Sequence, residues 1–171
     1  MRILDATKLA KLGTIMAAAA LVGAGTNALA ADVATSSEGA YEWSAEMVAF
    51  DEAAGTLTAK ARVEGYAQID GLDRFEEGER LTLVWTGRSW AAGIRDIGSR
   101  PEIPEGALSL PIEFVASSGD YVSFRVPVPD NSVERIRALE PGDRITAHSP
   151  RGQTPPWESA VISMRHYNDV E

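Results

Sequence analysis

The chain reads as mainly β: two small barrel or sandwich repeats in tandem, each with one short helix, behind a cleaved signal peptide. Three observations lead there. Apolar and polar residues alternate strictly over 57–63 and 122–128, the period of a strand with one face on a core. Turn signals built on glycine or proline recur at short spacing, as in small all-β domains. One block of sequence returns after 64 to 67 residues, the mark of an internal repeat.

Taken in order, residues 1–30 read as an export signal. Arg2, Lys8 and Lys11 give a basic start, and residues 12–25 (LGTIMAAAALVGAG) give an apolar run. Ala28-Leu29-Ala30 supplies the small-x-small pattern cut by a signal peptidase. A retained membrane span needs about 20 strongly apolar residues, more than this run offers. No paired arginines occur in the signal, so the general secretory route is expected. Residues 31–171 then form a mature chain of 141 residues, with a flexible leader over 31–41. No membrane anchor is expected in it, because the chain has no cysteine to carry a lipid. The fold must also stand without disulfides. The expected location is the periplasm, with release to the medium as the other outcome of export.

The mature chain carries 24 acidic and 13 basic residues, for a net charge of −11. Residues 32–100 hold 13 acids and 7 bases, and residues 101–171 hold 11 and 6. Neither half has a basic face, so nucleic acid is disfavoured as a partner.

The repeat is carried by three matches in the same order. Phe75-Glu76-Glu77-Gly78-Glu79-Arg80-Leu81-Thr82 resembles Leu139-Glu140-Pro141-Gly142-Asp143-Arg144-Ile145-Thr146. Upstream, Ala45-Glu46-Met47-Val48-Ala49 echoes Ile112-Glu113-Phe114-Val115-Ala116. Downstream, Ile94-Arg95-Asp96-Ile97 falls where Val161-Ile162-Ser163-Met164 stands. These assign repeat 1 to 42–97, a linker to 98–107 (with Pro101 and Pro104) and repeat 2 to 108–171.

Within each repeat the expected order is strand, strand, short helix, turn, strand, strand. Gly55 and Gly119 turn the chain into the alternating strands. Pro127 removes a ladder donor, which predicts a sheet edge there. In repeat 2 Asn131 is placed to cap a helix, with Glu134 returning the bond and Val133, Ile136 and Leu139 facing inward. Repeat 1 has Tyr66, Ile69, Leu72 and Phe75 at three-residue spacing, weakened by Gly71. The closing strands are expected over 80–85 and 92–97, and over 144–149 and 159–167.

The turn Leu139-Glu140-Pro141-Gly142-Asp143 before a strand resembles that of small periplasmic copper chaperones of the CusF type. The resemblance covers residues 112–167 and, more faintly, 45–97. It implies an OB-like five-stranded barrel for each repeat. Those chaperones hold copper through a histidine, a methionine-x-methionine pair and a nearby tryptophan. The methionine pair is absent from both repeats.

Candidate chemistry is sparse. His148 and His166 are the only histidines, and Met164 stands two residues before His166. Imidazole with thioether suits copper(I), so His148, Met164 and His166 are the candidate metal ligands; the plain alternative is a core methionine and a solvent-facing histidine. Asp70, Asp73, Glu76, Glu77 and Glu79 do not match a calcium loop and read as a solvated acidic face. His148 adjoins Ser149, but neighbours on a strand point apart, and no Gly-x-Ser-x-Gly elbow or phosphate loop occurs. The expectation is therefore a non-catalytic binding protein, its partner an envelope protein or a small ligand. Trp85, Arg88, Trp90 and Trp157 are its candidate contact residues, since exposed Trp and Arg anchor interfaces. Trp85 at the end of a strand has a core position as its alternative.

Overall fold

Strand alternation builds the molecule. In β2 (Thr56–Arg62) the side chains of Leu57, Ala59 and Ala61 are buried, while Thr58 and Lys60 turn outward. In β6 (Tyr121–Pro127) Val122, Phe124 and Val126 do the same. The computed structural model describes residues 39–63, 71–86 and 93–169. The remaining strands are β1 (Ala40–Asp51), β3 (Arg80–Trp85), β4 (Ile94–Gly98), β5 (Leu108–Ser118), β7 (Arg144–Pro150) and β8 (Ser163–His166). The single α-helix described, α1, spans Val133–Arg137. The expected signal lies outside the described residues, as do most of the expected leader and residues 64–70 of the first expected helix. What remains of that helix is a 3-10 turn at Leu72–Arg74. β1 begins at Ala40, so the last two residues of the expected leader belong to a strand.

The tandem-barrel expectation differs from what is observed. All eight strands join one antiparallel sheet in the order β4-β3-β5-β6-β2-β1-β7-β8. Each half makes two hairpins, β1-β2 with β3-β4 and β5-β6 with β7-β8. The hairpins of one half pair across to the other half: β1 with β7, β3 with β5 and β2 with β6. Their apolar faces therefore line one core. Two separate barrels would need β1 and β3 to close within their own half, and their ladder bonds are already taken.

The strand order reads the same from either end once β1–β4 are exchanged for β5–β8. The β2–β6 ladder is centred on Ala59 opposite Phe124, with Thr56 opposite Pro127 and Arg62 opposite Tyr121. Leu83 faces Leu110 across β3–β5, as Ala147 faces Trp43 across β1–β7. Register breaks fall between Met47 and Ala49 and between Phe114 and Ala116, which makes Val48 and Val115 bulged residues at matching places, and a third falls between Val84 and Trp85, opposite Arg95. Just before each of the bulges at Val48 and Val115 the backbone ties to a turn of the other half. Gly142 N–H donates to the Met47 carbonyl (2.9 Å), and Gly78 N–H to the Phe114 carbonyl (2.8 Å). Those two turns need φ of 99° at Gly142 and 88° at Gly78, a region glycine enters without a Cβ clash. The ion pairs Lys60–Glu46 (2.8 Å) and Arg125–Glu113 (2.6 Å) occupy matching sites. Matched positions are 67 residues apart from Glu46 to Glu113 and 64 from Arg80 to Arg144.

Three large rings fill the centre. Trp43 lies 5.4 Å from Trp85 and 6.1 Å from Phe124, centroid to centroid, in tilted contacts. The Trp43 indole N–H donates to the buried Ser149 hydroxyl (2.9 Å), which satisfies both groups.

Short helical turns protect one margin of the sheet. The Ser132 hydroxyl accepts from the Met164 N–H (2.8 Å), and the Asn131 amide donates to the Ile162 carbonyl (3.2 Å). Side chains thus occupy backbone groups that an edge strand would leave open. This replaces the expected capping box. Ser132 is the N-cap without a side-chain cap bond, Asn131 is spent on Ile162, and Glu134 pairs with Arg137. Pro127 also differs from expectation: β6 is interior, and the proline is tolerated because it is the last residue of its strand, opposite Thr56.

Candidate functional site

The residues that gather in a cleft come from β1, from the end of β7 and from the connection before β5. On β1, Tyr41 and Trp43 turn into the core, so Ala40 and Glu42 share the outer face. Register then sets a polar row. Glu42 stands opposite His148, and His148 opposite Ser163. Side chains in direct register stand about 4.5–5.5 Å apart at Cβ, so this row meets. His148 Nδ1 lies 3.1 Å from Ser163 Oγ, and its Nε2 lies 3.5 Å from Glu42 Oε2. The Arg165 guanidinium approaches the same Glu42 oxygen at 3.9 Å. The row fixes the ring of His148, which is mostly buried (side chain 16 % exposed), and aims Glu42 (46 % exposed) toward solvent.

Beyond the row the chain leaves β7 at Arg151. Its backbone N–H donates to the Gly39 carbonyl (3.0 Å) and its Nε to the Ala40 carbonyl (2.8 Å). Its guanidinium stands 5.8 Å from the Tyr41 ring centroid. Ala40, Tyr41, Glu42, Thr86, Gly106, His148 and Arg151 enclose a cleft of about 460 Å³. Gly106 and Arg151 also wall a second, mostly apolar trough of about 530 Å³, floored by Ile103, Pro104 and Ala107. Both volumes fall in the range of small-molecule sites, roughly 300–1,000 Å³.

The residues expected from sequence are only partly brought together. Trp85 is fully buried against Trp43 and Phe124, in the core position that its place at the end of a strand allowed. Its strand position left the indole no way out of the sheet's inner face. Arg88 and Trp90 lie outside the described residues. Trp157 is half-buried, with the Arg80 guanidinium stacked 3.7 Å from its ring centroid. His148 lies on the outer face, whereas Met164 is fully buried opposite Ala147 on the inner face. His166 stands at the end of β8, where its Nδ1 accepts from the Asn168 N–H (3.2 Å). Strand alternation thus keeps His148 apart from Met164, and the three do not converge. Among the described residues, no three His, Cys, Asp or Glu side chains gather as a ligand set.

Ser149 points inward to Trp43, away from its neighbour His148. The serine that does meet His148 is Ser163, one strand over. Glu42, Arg151, Arg165 and Gly106 were not singled out from sequence. Only Glu42 sits in a local pattern, the alternation that starts at Tyr41; Arg151, Arg165 and Gly106 come to the cleft through the fold alone.

No protein-family model, curated protein or solved structure matches the chain.

Proposed function

We propose that the chain is an exported, non-catalytic binding protein of the cell envelope, and that the Glu42–His148–Arg151 cleft is its binding site. The fold is read as a duplicated four-strand unit whose two copies exchange hairpins. Support for the duplication is the coincidence of the sequence offsets with the ladder registers, the paired bulges at Val48 and Val115, and the paired turn bonds of Gly78 and Gly142.

One observation carries the site. The registered pair Glu42–His148 has a counterpart in the other half, the registered pair Ser109–Val84. Both Ser109 and Val84 are buried, and the Ser109 hydroxyl bonds that of Thr154. The same backbone geometry therefore accepts an uncharged, covered pair. Folding does not call for these polar side chains at the two positions, and where Glu42 and His148 stand a cleft is open.

The test is the double variant Glu42→Ser with His148→Val, which carries the other half's residues. It is expected to melt close to wild type and to lose the small molecules that wild type carries from an envelope extract, read by native mass spectrometry. A variant that folds and still carries the same molecules overturns the site.

A further inference from the structure

Two opposite charges share the cleft without meeting. Ala40 and Glu42 are two residues apart on one strand face, a rise of about 6.7 Å. Arg151 is tied to the Ala40 carbonyl, and its side chain lines the cleft together with Glu42. No ion pair forms between them, whereas Arg165 approaches the Glu42 carboxylate at 3.9 Å. Arg151 has no carboxylate partner among the described residues; its Nε is bonded to the Ala40 carbonyl, and a guanidinium carries further N–H donors on its two terminal nitrogens. Glu42 is held from behind by His148 and Arg165. A guanidinium and a carboxylate lining one cleft suit a carboxylate and an ammonium carried on one molecule. The apolar trough begins at Arg151, and there Ile103 is 39 % exposed.

We propose that the cleft binds a small zwitterion of the α-amino-acid type with an apolar side chain. Arg151 takes the carboxylate in a forked pair, Glu42 takes the ammonium, and the side chain lies over Ile103, Pro104 and Ala107. His148 is a positioning residue that orients Glu42. The net charge of −9 disfavours a purely anionic ligand, whereas a zwitterion is neutral overall. This proposal rests on the reading of the cleft as the binding site.

The full chain, isotopically labelled, is titrated with leucine and followed by amide chemical shifts. Leucinamide (no carboxylate), N-acetyl-leucine (no ammonium), serine (no apolar side chain) and the dipeptide leucyl-leucine (charges too far apart) are titrated beside it. Leucine is expected to shift amides at 40–42, 106–107 and 151–153, with each analogue weaker by about ten-fold or more. Arg151→Gln and Glu42→Gln are each expected to weaken leucine by a similar factor while keeping the wild-type spectrum elsewhere. If leucinamide or N-acetyl-leucine binds as well as leucine, the two-charge assignment falls and the cleft remains a site. Tighter binding of the dipeptide moves the ligand to peptides and overturns the single-amino-acid class. If leucine leaves the cleft unchanged while an extract of envelope small molecules shifts it, only the ligand class is lost. If neither shifts it, both readings fall.

Discussion

Among the described glycines, Gly93 leaves the least room for a Cβ, and enlarging it tests the central packing. Its carbonyl accepts from the Thr86 N–H (3.0 Å), which brings the backbone against the Trp85 ring. A Cβ at this position would lie 2.3 Å from two ring carbons of Trp85 and 2.6 Å from its nitrogen. Ordinary contact begins near 3.4 Å, so the ring must give by more than an ångström. It has nowhere to go, because Trp43 and Phe124 pack against it at 5.4 and 6.5 Å. Overpacking of a filled core costs about 1–3 kcal/mol, and this case belongs at the upper end. For a folded unit of this size about 3 kcal/mol lowers Tm by roughly 10 °C. The control is Gly98→Ala, where an added Cβ meets nothing within 4 Å. It is expected to change stability by less than about 1 kcal/mol. Both variants are compared by urea unfolding with tryptophan fluorescence and by thermal melts. Should Gly93→Ala melt within about 2 °C of Gly98→Ala, the packing of Trp85 described above is wrong.

Ser132→Ala removes the acceptor of the Met164 N–H in a buried setting and should cost about 1–3 kcal/mol, with faster hydrogen exchange at Met164. Trp43→Phe takes away the donor to the buried Ser149 hydroxyl, and urea unfolding should show a loss of about 1–3 kcal/mol, part of which Ser149→Ala restores in the double variant. The Glu52 carboxyl is held below its ordinary 4.5 by the hydrogen bond from Arg137 and then by that residue's charge. A lowered carboxyl stabilises the fold above its ordinary value and loses that contribution as pH falls through the lowered one. Glu52→Gln should therefore lower the neutral plateau slightly, and the two melting-temperature profiles should converge as pH falls below about 4.5.

The strands were legible wherever one face is wet and one is dry. Leu57, Ala59 and Ala61 alternate with Thr58 and Lys60 because a single residue step changes face, and periodicity records that step. Pairing partners were not legible, since alternation says which face is apolar and nothing about whose apolar face it meets. The Trp43–Ser149 bond spans 106 residues, and no local pattern encodes it. Asn131 had the chemistry of a cap, and the strand margin at Ile162 competed for it. Among contact candidates, Trp85 has a polar handle and a buried body, so residue type alone could not decide its side. Glu42 and Arg151 carry no motif. They become neighbours only because β1 runs beside β7 and Arg151 reaches back to Ala40.

Exchange of hairpins between the halves has an effect on timing. β1 is made early by the ribosome, yet its ladder with β7 cannot form until Arg144–Pro150 has emerged. The first half in isolation would leave Trp43, Leu83 and Trp85 without the strands that cover them. Distant pairings of this kind fold slowly, because a long loop must close before any contact repays it. The first half therefore has to wait, uncovered, for the second before its core can close.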